Sequence, residues 1–318
     1  MTDDPVNLDV VTVTANPALD QTVWVPGFRA GEVNRVVREE TSPGGKGVNV
    51  AAFLASFGLA TAATGFLGRA NAGLFEEFLD ARGISHCFVP VAGVTRTGIK
   101  IVDDAGVTTD INFPGFGVTE GDLLALERIV TGLAAVSRWV VLSGSLPRDA
   151  PLSTYRRLVE AVHAAGGLVA LDTSGPALRE ALPAGPDLVK PNRAELEELG
   201  GQALPDRVAL REAADGLAAY GIGTTVISLG AEGALFLRDG EAVFATPPPV
   251  RVASTVGAGD AMVAGTVLGT LRGLGLAGVA ALATACSAVA ISRVGPYLDP
   301  VEVDTTVEDI TVEQEGSP

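Results

Sequence analysis

Two glycines and an acid precede a long apolar segment near the carboxyl end of the chain, in Ser254-Thr-Val-Gly-Ala-Gly-Asp260. If a helix begins near Asp260, the amides of Gly257, Ala258 and Gly259 point at whatever lies over its N-terminus, where the helix dipole favours an anion. We expect the same dipole to keep Asp260 ionised, so that its carboxylate could take a proton from a substrate hydroxyl. The alternative is an ordinary glycine turn with Asp260 as the N-cap.

A second glycine-rich turn, Ser42-Pro-Gly-Gly-Lys-Gly-Val-Asn49, precedes a helical pattern over residues 50–57. It carries a mobile positive charge, Lys46, and an amide that both donates and accepts, Asn49. It is not a Walker loop, because Lys46 is followed by Gly47 and not by Ser or Thr. The pattern therefore predicts either a second anion site or a plain helix entry.

The composition excludes several classes of protein. The chain has 318 residues, 47% of them hydrophobic, and a formal net charge of -16, so a large core is available and a nucleic-acid partner is not expected. The two cysteines, Cys87 and Cys286, are isolated, which is typical of buried thiols in a reducing compartment. Neither His86 nor His163 lies in a His or Cys ligand pattern that would suggest a metal cage.

The location of the protein is predicted from two segments. The N-terminus is acidic and lacks the basic start of a signal peptide. Residues 273–292 carry no charge and are rich in Ala, Gly, Val and Leu, which we interpret as a buried helix of small residues and not as a membrane span. We therefore expect a cytoplasmic protein without a membrane partner.

Strands alternate with helices through most of the chain, which predicts a parallel sheet with helices on both faces. The length permits two domains, but α/β folds of this size often form one unit, and we predict a single domain over residues 1–318. Ligands bind at the carboxyl ends of the strands in such sheets. Polar side chains of the two turns and of the strand ends should meet there: Asp20, Lys46, Asn49, Ser145, Asn192, Glu195 and Asp260.

Two extended segments, within residues 21–43 and 94–116, interrupt the alternation and could form one small sheet covering the site. Arg96 would then reach the ligand; otherwise it is a solvated strand charge. The carboxyl-terminal segment 301–318 alternates Val with Asp, Glu and Thr. It could add an edge strand before fraying, and we expect residues 313–318 to be disordered.

Phosphoryl transfer requires a carboxylate that acts as a base, an anion hole and a second polar patch. With Gly44-Gly-Lys-Gly-Val-Asn49, Ser254-Thr-Val-Gly-Ala-Gly-Asp260 and Lys190-Pro-Asn192-x-x-Glu195, nearly the whole chain resembles the PfkB (ribokinase-like) sugar kinases. The resemblance implies an α/β fold with a central, mostly parallel sheet flanked by helices and a small β-sheet lid. It also implies ATP and Mg²⁺ as cofactors, and it is compatible with a monovalent cation such as K⁺.

The resemblance assigns roles residue by residue. Asp260 would be the base, and Gly257, Ala258 and Gly259 the anion hole. The residues expected to hold a sugar phosphate are Asp20, Gly45, Lys46, Asn49, Arg96 and Ser145. The residues expected at ATP and Mg²⁺ are Lys190, Asn192, Glu195, Ser228, Gly230, Gly233 and Ser287, with Asn192 and Glu195 acting on the metal indirectly. Lids of this family often pair across a dimer, so a homodimer through the lid is expected.

Within the family, the chain resembles kinases of phosphosugars. Enzymes that act on fructose 6-phosphate tend to carry glycine where Lys46 stands and arginine where Asp110 stands, before Asn112-Phe-Pro-Gly115. The resemblance therefore implies phosphorylation of D-fructose 1-phosphate at its C6 hydroxyl. Tagatose 6-phosphate and fructose 6-phosphate are the alternative substrates, and a sugar-phosphate sensor without catalysis is a third possibility. Gly98 replaces part of an Asn-containing stretch usual after the arginine, and Ala261 replaces the usual serine after the catalytic acid.

Overall fold

The computed structural model describes residues 7–293 and 295–315, in which strands and helices alternate. The strands are β1 (Leu8–Thr14), β2 (Ala18–Trp24), β3 (Arg38–Gly44), β4 (Thr61–Gly68), β5 (Ser85–Val91), β6 (Thr97–Val102), β7 (Thr108–Asn112), β8 (Ser137–Ser143), β9 (Leu168–Asp172), β10 (Leu188–Val189), β11 (Thr224–Ser228), β12 (Ala234–Arg238), β13 (Glu241–Thr246) and β14 (Thr311–Gln314). The helices are α1 (Lys46–Ser56), α2 (Ala72–Asp80), α3 (Glu120–Ala134), α4 (Thr154–Ala164), α5 (Gly175–Ala181), α6 (Arg193–Gly200), α7 (Arg207–Leu217), α8 (Ala258–Leu271), α9 (Leu276–Ile291) and α10 (Pro300–Glu308).

Within the described residues, ten strands form a large sheet in the order β14-β13-β12-β11-β10-β9-β8-β1-β4-β5. Neighbours from β11 to β5 are parallel, and β12, β13 and β14 add antiparallel strands at one edge. β1 lies between β8 and β4, and its sequence Leu-Asp-Val-Val-Thr-Val-Thr is buried except for Asp9. Continuous burial is typical of a strand covered by helices on both faces. The predicted mostly parallel sheet is confirmed.

Helices cover both faces of this sheet. One apolar cluster includes Leu126 of α3, Tyr155 of α4 and Leu210 of α7, and another includes Phe53 of α1 and Val263 of α8. The charge-free segment predicted to be a buried helix forms α9, which packs closely against α8. In the described part of the chain, no helix combines the length and apolar character that crossing a bilayer would need.

The two extended segments form a second sheet, in the order β3-β2-β6-β7. β2 and β6 are parallel, and the other two pairs are antiparallel. β2 begins at Ala18 and β3 ends at Gly44, so this small sheet extends beyond the predicted bounds 21–43 at both ends, whereas β6 and β7 lie within 94–116. We call it the lid sheet.

The lid sheet has one polar and one apolar face. Thr22 pairs with Lys100, and Lys100 with Asp110, so these three side chains lie on one face. Val23 and Ile101 occupy the alternate positions and belong to a small apolar cluster. This alternation means that a polar surface is held over whatever the sheet covers.

The carboxyl-terminal segment departs from its predicted form. The alternating residues after Pro300 form helix α10, because Asp299 accepts a hydrogen bond from the Val301 amide at 3.0 Å and proline occupies the first turn. An edge strand follows, as β14. The predicted disorder begins too early, since Glu313 lies in β14 and its carboxylate pairs with Arg207 at 3.1 Å. Residues 316–318 of that prediction lie outside the described residues.

Candidate active site

An open cleft lies at the carboxyl ends of the parallel strands and beneath the polar face of the lid sheet. Its cavity volume is about 560 Å³, within the roughly 300–1000 Å³ typical of a small-molecule pocket. The cleft is therefore large enough for a small-molecule substrate. Its lining includes Asn16, Asp20, Gly45, Lys46, Asn49, Arg96, Lys100, Asn112, Gly144, Ser145, Thr173, Ser174, Lys190, Asn192, Glu195, Ser228, Gly257, Gly259 and Asp260.

Two helices begin at this cleft with glycine as the N-cap. Gly45 precedes α1 with φ 112°, and Gly257 precedes α8 with φ 82°. Residues that carry a side chain rarely adopt these backbone conformations. In the part of the chain that the structure describes, no side chain caps either terminus. A Cβ on Gly45 would lie 2.9 Å from a methyl carbon of Thr14. Both termini therefore offer backbone amides and a positive dipole to an anion.

Asp260 lies in the first turn of α8, with only 6% of its surface exposed. The side-chain amide of Asn49 donates a hydrogen bond of 2.8 Å to its carboxylate. Asn49 lies in α1, so the bond joins the two glycine-capped helices directly. A carboxylate fixed in this way in the lining of the cleft has the placement that a general base needs.

The helix dipole is not the only influence on the ionisation of Asp260. Burial raises the pKa of Asp260 to about 6, and the nearby carboxylate of Asp172 acts in the same direction. Lys46, the Asn49 hydrogen bond and Lys190 lower the pKa but do not cancel the loss of solvent. Desolvation thus outweighs these stabilising contacts, and the carboxyl is a stronger base than an exposed aspartate.

A buried carboxylate, Asp172, organises the positive charge beside Asp260. The ammonium of Lys46 lies 3.2 Å from each of its oxygens, and that of Lys190 lies 3.5 Å from one of them. Burial alone would lower the pKa of Lys46, but the carboxylates of Asp172, Asp260 and Glu195 outweigh it and raise that pKa. The ion pairs therefore hold both ammonium groups at the end of strand β9.

The lid side of the cleft carries a separate polar group. Asp20 lies on β2, and burial raises its pKa while Lys100 and Arg96 act in the opposite direction. Arg96 donates to the backbone carbonyls of Phe113 and Asn16 at 3.0 and 3.3 Å. The hydroxyl of Ser145 accepts a hydrogen bond of 3.2 Å from the Asn16 side chain. These contacts fix polar groups that could bind the hydroxyls and phosphate of a sugar.

Asn192 and Glu195 also face the cleft, where they cap helix α6. Asn192 accepts from the Glu195 amide and Glu195 accepts from the Asn192 amide, each at 2.8 Å. The described residues contain no group of three or more His, Cys, Asp or Glu side chains that could enclose a metal ion. Mg²⁺ is usually held by one or two carboxylates together with waters and phosphates, and Glu195 beside Asn192 fits that requirement.

Four of the predicted site residues do not line the cleft: Ala258, Gly230, Gly233 and Ser287. Gly233 has a structural reason to be glycine, because a Cβ there would lie 2.0 Å from the carbonyl oxygen of Ala245. Ser287 lies in α9, which packs against α8. The roles predicted for these four residues stay predictions.

Several residues of the site were missed by the sequence interpretation: Asn16, Lys100, Asn112, Asp172, Thr173 and Ser174. Asp172 ends strand β9, so the strand-end rule that selected Asp20 could have found it. Lys100 lies in the middle of β6, and only the placement of the lid sheet brings it to the cleft. A base, uncapped helix termini and fixed cations around one cleft are able to transfer a phosphoryl group.

The chain belongs to the pfkB family of carbohydrate kinases, whose family model matches residues 13–303. It is thus a sugar kinase, as its motifs predict. It is 49% identical over 297 residues to the 1-phosphofructokinase of Rhodobacter capsulatus, covering 93% of this chain and 94% of that protein. It is 40% identical over 287 residues to the 1-phosphofructokinase of Escherichia coli K12, covering 89% and 91%.

Solved structures share the fold. Phosphofructokinase-2 from Escherichia coli, in complex with substrates and products, is 28% identical with a TM-score of 0.90, covering 95% of this chain and 99% of that one. A possible 1-phosphofructokinase from Thermotoga maritima is also 28% identical, with a TM-score of 0.86 and coverage of 96% and 99%. The ribokinase-like architecture predicted from the sequence is confirmed.

The raised pKa of Asp260 predicts that the activity falls as the pH is lowered through that pKa. The base must be deprotonated, so kcat/KM should fall about tenfold per pH unit below its pKa, which is about 6. Because substrate phosphates titrate in the same range, the ¹³C carboxyl signal of Asp260 in the free enzyme is the direct measurement. Asp260→Asn identifies that signal by its loss. A titration midpoint near 4 would contradict the prediction.

Proposed function

We propose that this kinase transfers the γ-phosphoryl group of ATP to the C6 hydroxyl of D-fructose 1-phosphate, giving fructose 1,6-bisphosphate and ADP. The observation that carries the proposal is the buried Asp260 carboxylate at the N-terminus of α8, beside uncapped amides and two lysines held by Asp172. The identity of the relatives named above supports the choice of substrate.

The chemistry follows from these positions. Asp260 takes the proton of the C6 hydroxyl while the hydroxyl oxygen bonds to the γ-phosphorus of ATP. The bond between that phosphorus and the β,γ-bridging oxygen breaks, and ADP is released. The amides of residues 257–259 and the ammonium groups of Lys46 and Lys190 stabilise the charge on the phosphoryl oxygens. The proton leaves Asp260 to solvent after product release.

The two substrates occupy opposite sides of the cleft in this proposal. The sugar phosphate contacts the polar groups of the lid side and the α1 terminus: Asp20, Gly45, Asn49, Arg96 and Ser145. The nucleotide lies along the ends of β10 and β11, near Lys190, Asn192, Glu195 and Ser228. Mg²⁺, held through Glu195 and Asn192, would neutralise the nucleotide phosphates when bound. A potassium complex of Escherichia coli phosphofructokinase-2 supports a monovalent cation such as K⁺ as a further cofactor.

The rival functions differ in substrate or in catalysis. Lys46 and Asp110 favour fructose 1-phosphate over fructose 6-phosphate, and tagatose 6-phosphate is the nearest competitor. A sugar-phosphate sensor would not need the base, yet Asp260 and Glu195 both face the cleft.

Substrate choice is tested by ADP release with MgATP and each of the three sugar phosphates. We expect the highest kcat/KM with fructose 1-phosphate, because the lid side of the cleft presents Lys100 and Arg96 without a further arginine at position 110. A higher value for tagatose 6-phosphate would change the substrate but keep the mechanism. Tight binding of a sugar phosphate without any turnover would instead indicate a sensor.

The role of Asp260 is tested by Asp260→Asn, which keeps the shape of the side chain and removes its basicity. Loss of a general base typically costs about 10²–10⁴-fold in rate, so kcat should fall by at least about 10²-fold with the circular dichroism unchanged. Asp187→Asn, at a carboxylate that contacts His163 outside the cleft, is the matched control. Near-normal turnover of Asp260→Asn would rule out the assignment.

We also propose a homodimer formed through the lid sheet. Apolar side chains are exposed on β7, directly after β7 and on the connection between β2 and β3: Ile111 at 44%, Phe113 at 47%, Val37 at 68% and Val33 at 89%. Several exposed apolar groups on the lid sheet and its connections favour an interface. Escherichia coli phosphofructokinase-2 has a tetrameric inhibited form, so larger assemblies occur in a structural neighbour.

The dimer is tested by Ile111→Asp, which places a charge in the proposed interface. Sedimentation equilibrium should show a dimer for the unaltered protein and a shift towards monomer for this variant, because an unpaired charge in an apolar contact is costly. Leu124→Asp, at an exposed position of α3, is the control and should stay dimeric. Dimers of equal stability in all three proteins would place the interface elsewhere.

A further inference from the structure

Lysine is rare in this chain, and its placement is informative. Of the 22 lysines and arginines, only Lys46, Lys100 and Lys190 are lysine. All three line the active-site cleft, where Arg96 is the one arginine among the lining residues that the structure describes. Everywhere else in the sequence the positive charge is carried by arginine. In a chain with this preference, we expect lysine at positions that need a compact, mobile ammonium and not a planar guanidinium.

Two of the three lysines have a role in the proposed function. Lys46 and Lys190 both contact Asp172 at the end of β9, next to Asp260 and Glu195. They therefore lie where the phosphoryl group is transferred. Lys100 lies apart from them, on the polar face of the lid sheet, and no part of the transfer chemistry described above uses it.

The surroundings of Lys100 indicate a binding role. Only 16% of its side chain is exposed, yet its ammonium contacts the carboxylate of Asp110 at 3.4 Å, and that carboxylate is 52% exposed. An ion pair with one solvated partner and a long contact contributes little stability. The lysine is thus held near the cleft by a weak partner that a stronger anion could replace.

The position of Lys100 indicates which substrate phosphate could replace Asp110 as its partner. Lys100 and Arg96 are the cations that act on Asp20, and Asp20 lines the cleft on the lid side. The nucleotide side, at Lys190, Asn192 and Ser228, lies along the ends of β10 and β11. A phosphate on the sugar would therefore lie closer to Lys100 than the phosphates of the nucleotide.

We propose that Lys100 binds the phosphate ester that the sugar substrate already carries, and that Asp110 is a positioning residue that holds the ammonium until the substrate arrives. The proposal rests on the proposed function, because it requires a phosphorylated sugar. Lysine suits this exchange, since its flexible stem lets three donors move from Asp110 to a phosphate dianion without a fixed fork geometry. Asp110 also keeps Lys100 paired in the empty cleft, where an isolated buried charge would be costly.

The small number of lysines makes a direct test possible. Protein prepared with ¹³C- and ¹⁵N-labelled lysine, without a lysine-containing tag, should give three side-chain signals, and Lys100→Met identifies that of Lys100 by its loss. Fructose 1-phosphate, added without nucleotide, should shift the Lys100 signal. The non-hydrolysable analogue of MgATP should shift those of Lys46 and Lys190 instead. A Lys100 signal that moves with the nucleotide and not with the sugar phosphate would overturn the proposal.

Kinetics give the second arm of the test. Lys100→Met should raise KM for fructose 1-phosphate about 10- to 100-fold, as expected for the loss of one charge-assisted contact, with kcat nearly unchanged because the contact is the same in the ground and transition states. Phosphorylation of unphosphorylated fructose should be unaffected. Arg128→Met removes the same charge from an exposed position of α3 and is the matched control. A merely structural role for Lys100 would lower activity towards both sugars and would contradict the proposal.

The role of Asp110 is tested by Asp110→Asn, which leaves Lys100 without its carboxylate partner. We expect the Lys100 signal of the free protein to shift, while its signal with fructose 1-phosphate stays close to that of the unaltered protein. An unchanged free signal would remove Asp110 from the proposal. If fructose 1-phosphate is not phosphorylated but another sugar phosphate moves the Lys100 signal, the contact stands and only the proposed substrate falls.

Discussion

The buried carboxylate of Asp172 is the constraint on which the site depends. It is 1% exposed at the end of β9, and a charge so far from water must be paired. Its partners, Lys46 and Lys190, come from the start of α1 and the end of β10, so one carboxylate fixes two segments far apart in sequence. The same charge raises the pKa of Asp260. Asp172 therefore fixes the positions of the cations and adds to the effect of burial on the basicity of the proposed catalytic group.

The two glycine-capped helices depend on that arrangement. Both α1 and α8 direct uncapped amides into the cleft, and the Asn49–Asp260 hydrogen bond ties them together. Glycine caps leave the termini open to a ligand, at the cost of capping bonds that would stabilise the helices. The stability comes instead from apolar packing, since Phe53 of α1 and Val263 of α8 are 1% and 0% exposed. The anion-binding ends are thus held by the buried bodies of their helices.

Local signals predicted much of the fold and part of the site. The β-branched sequence of β1, the small-residue helix α9 and the cleft position of Ser145 after β8 follow from periodicity and strand-end rules. Asp20, which was also expected at a strand end, lies within β2. β4 was missed because Thr-Ala-Ala-Thr-Gly-Phe-Leu-Gly has weak β-propensity, and its pairing with β1 and β5 determines its conformation. Lys100 was missed for a similar reason, since the position of a whole second sheet decides what a mid-strand lysine faces. The basicity of Asp260 required its burial, which no local pattern gives.

The placement of lysine also answers an electrostatic problem of the whole chain. The net charge is -16, and both proposed substrates are anions, so the average field opposes binding. That field is screened over a Debye length of about 8 Å at physiological ionic strength, whereas buried charges inside the cleft are screened much less. A few desolvated cations next to the phosphates therefore outweigh many distant surface carboxylates. Because Asp172 and Asp110 keep these cations paired in the empty cleft, the protein has strong phosphate-binding groups without exposing a basic surface to unrelated anions.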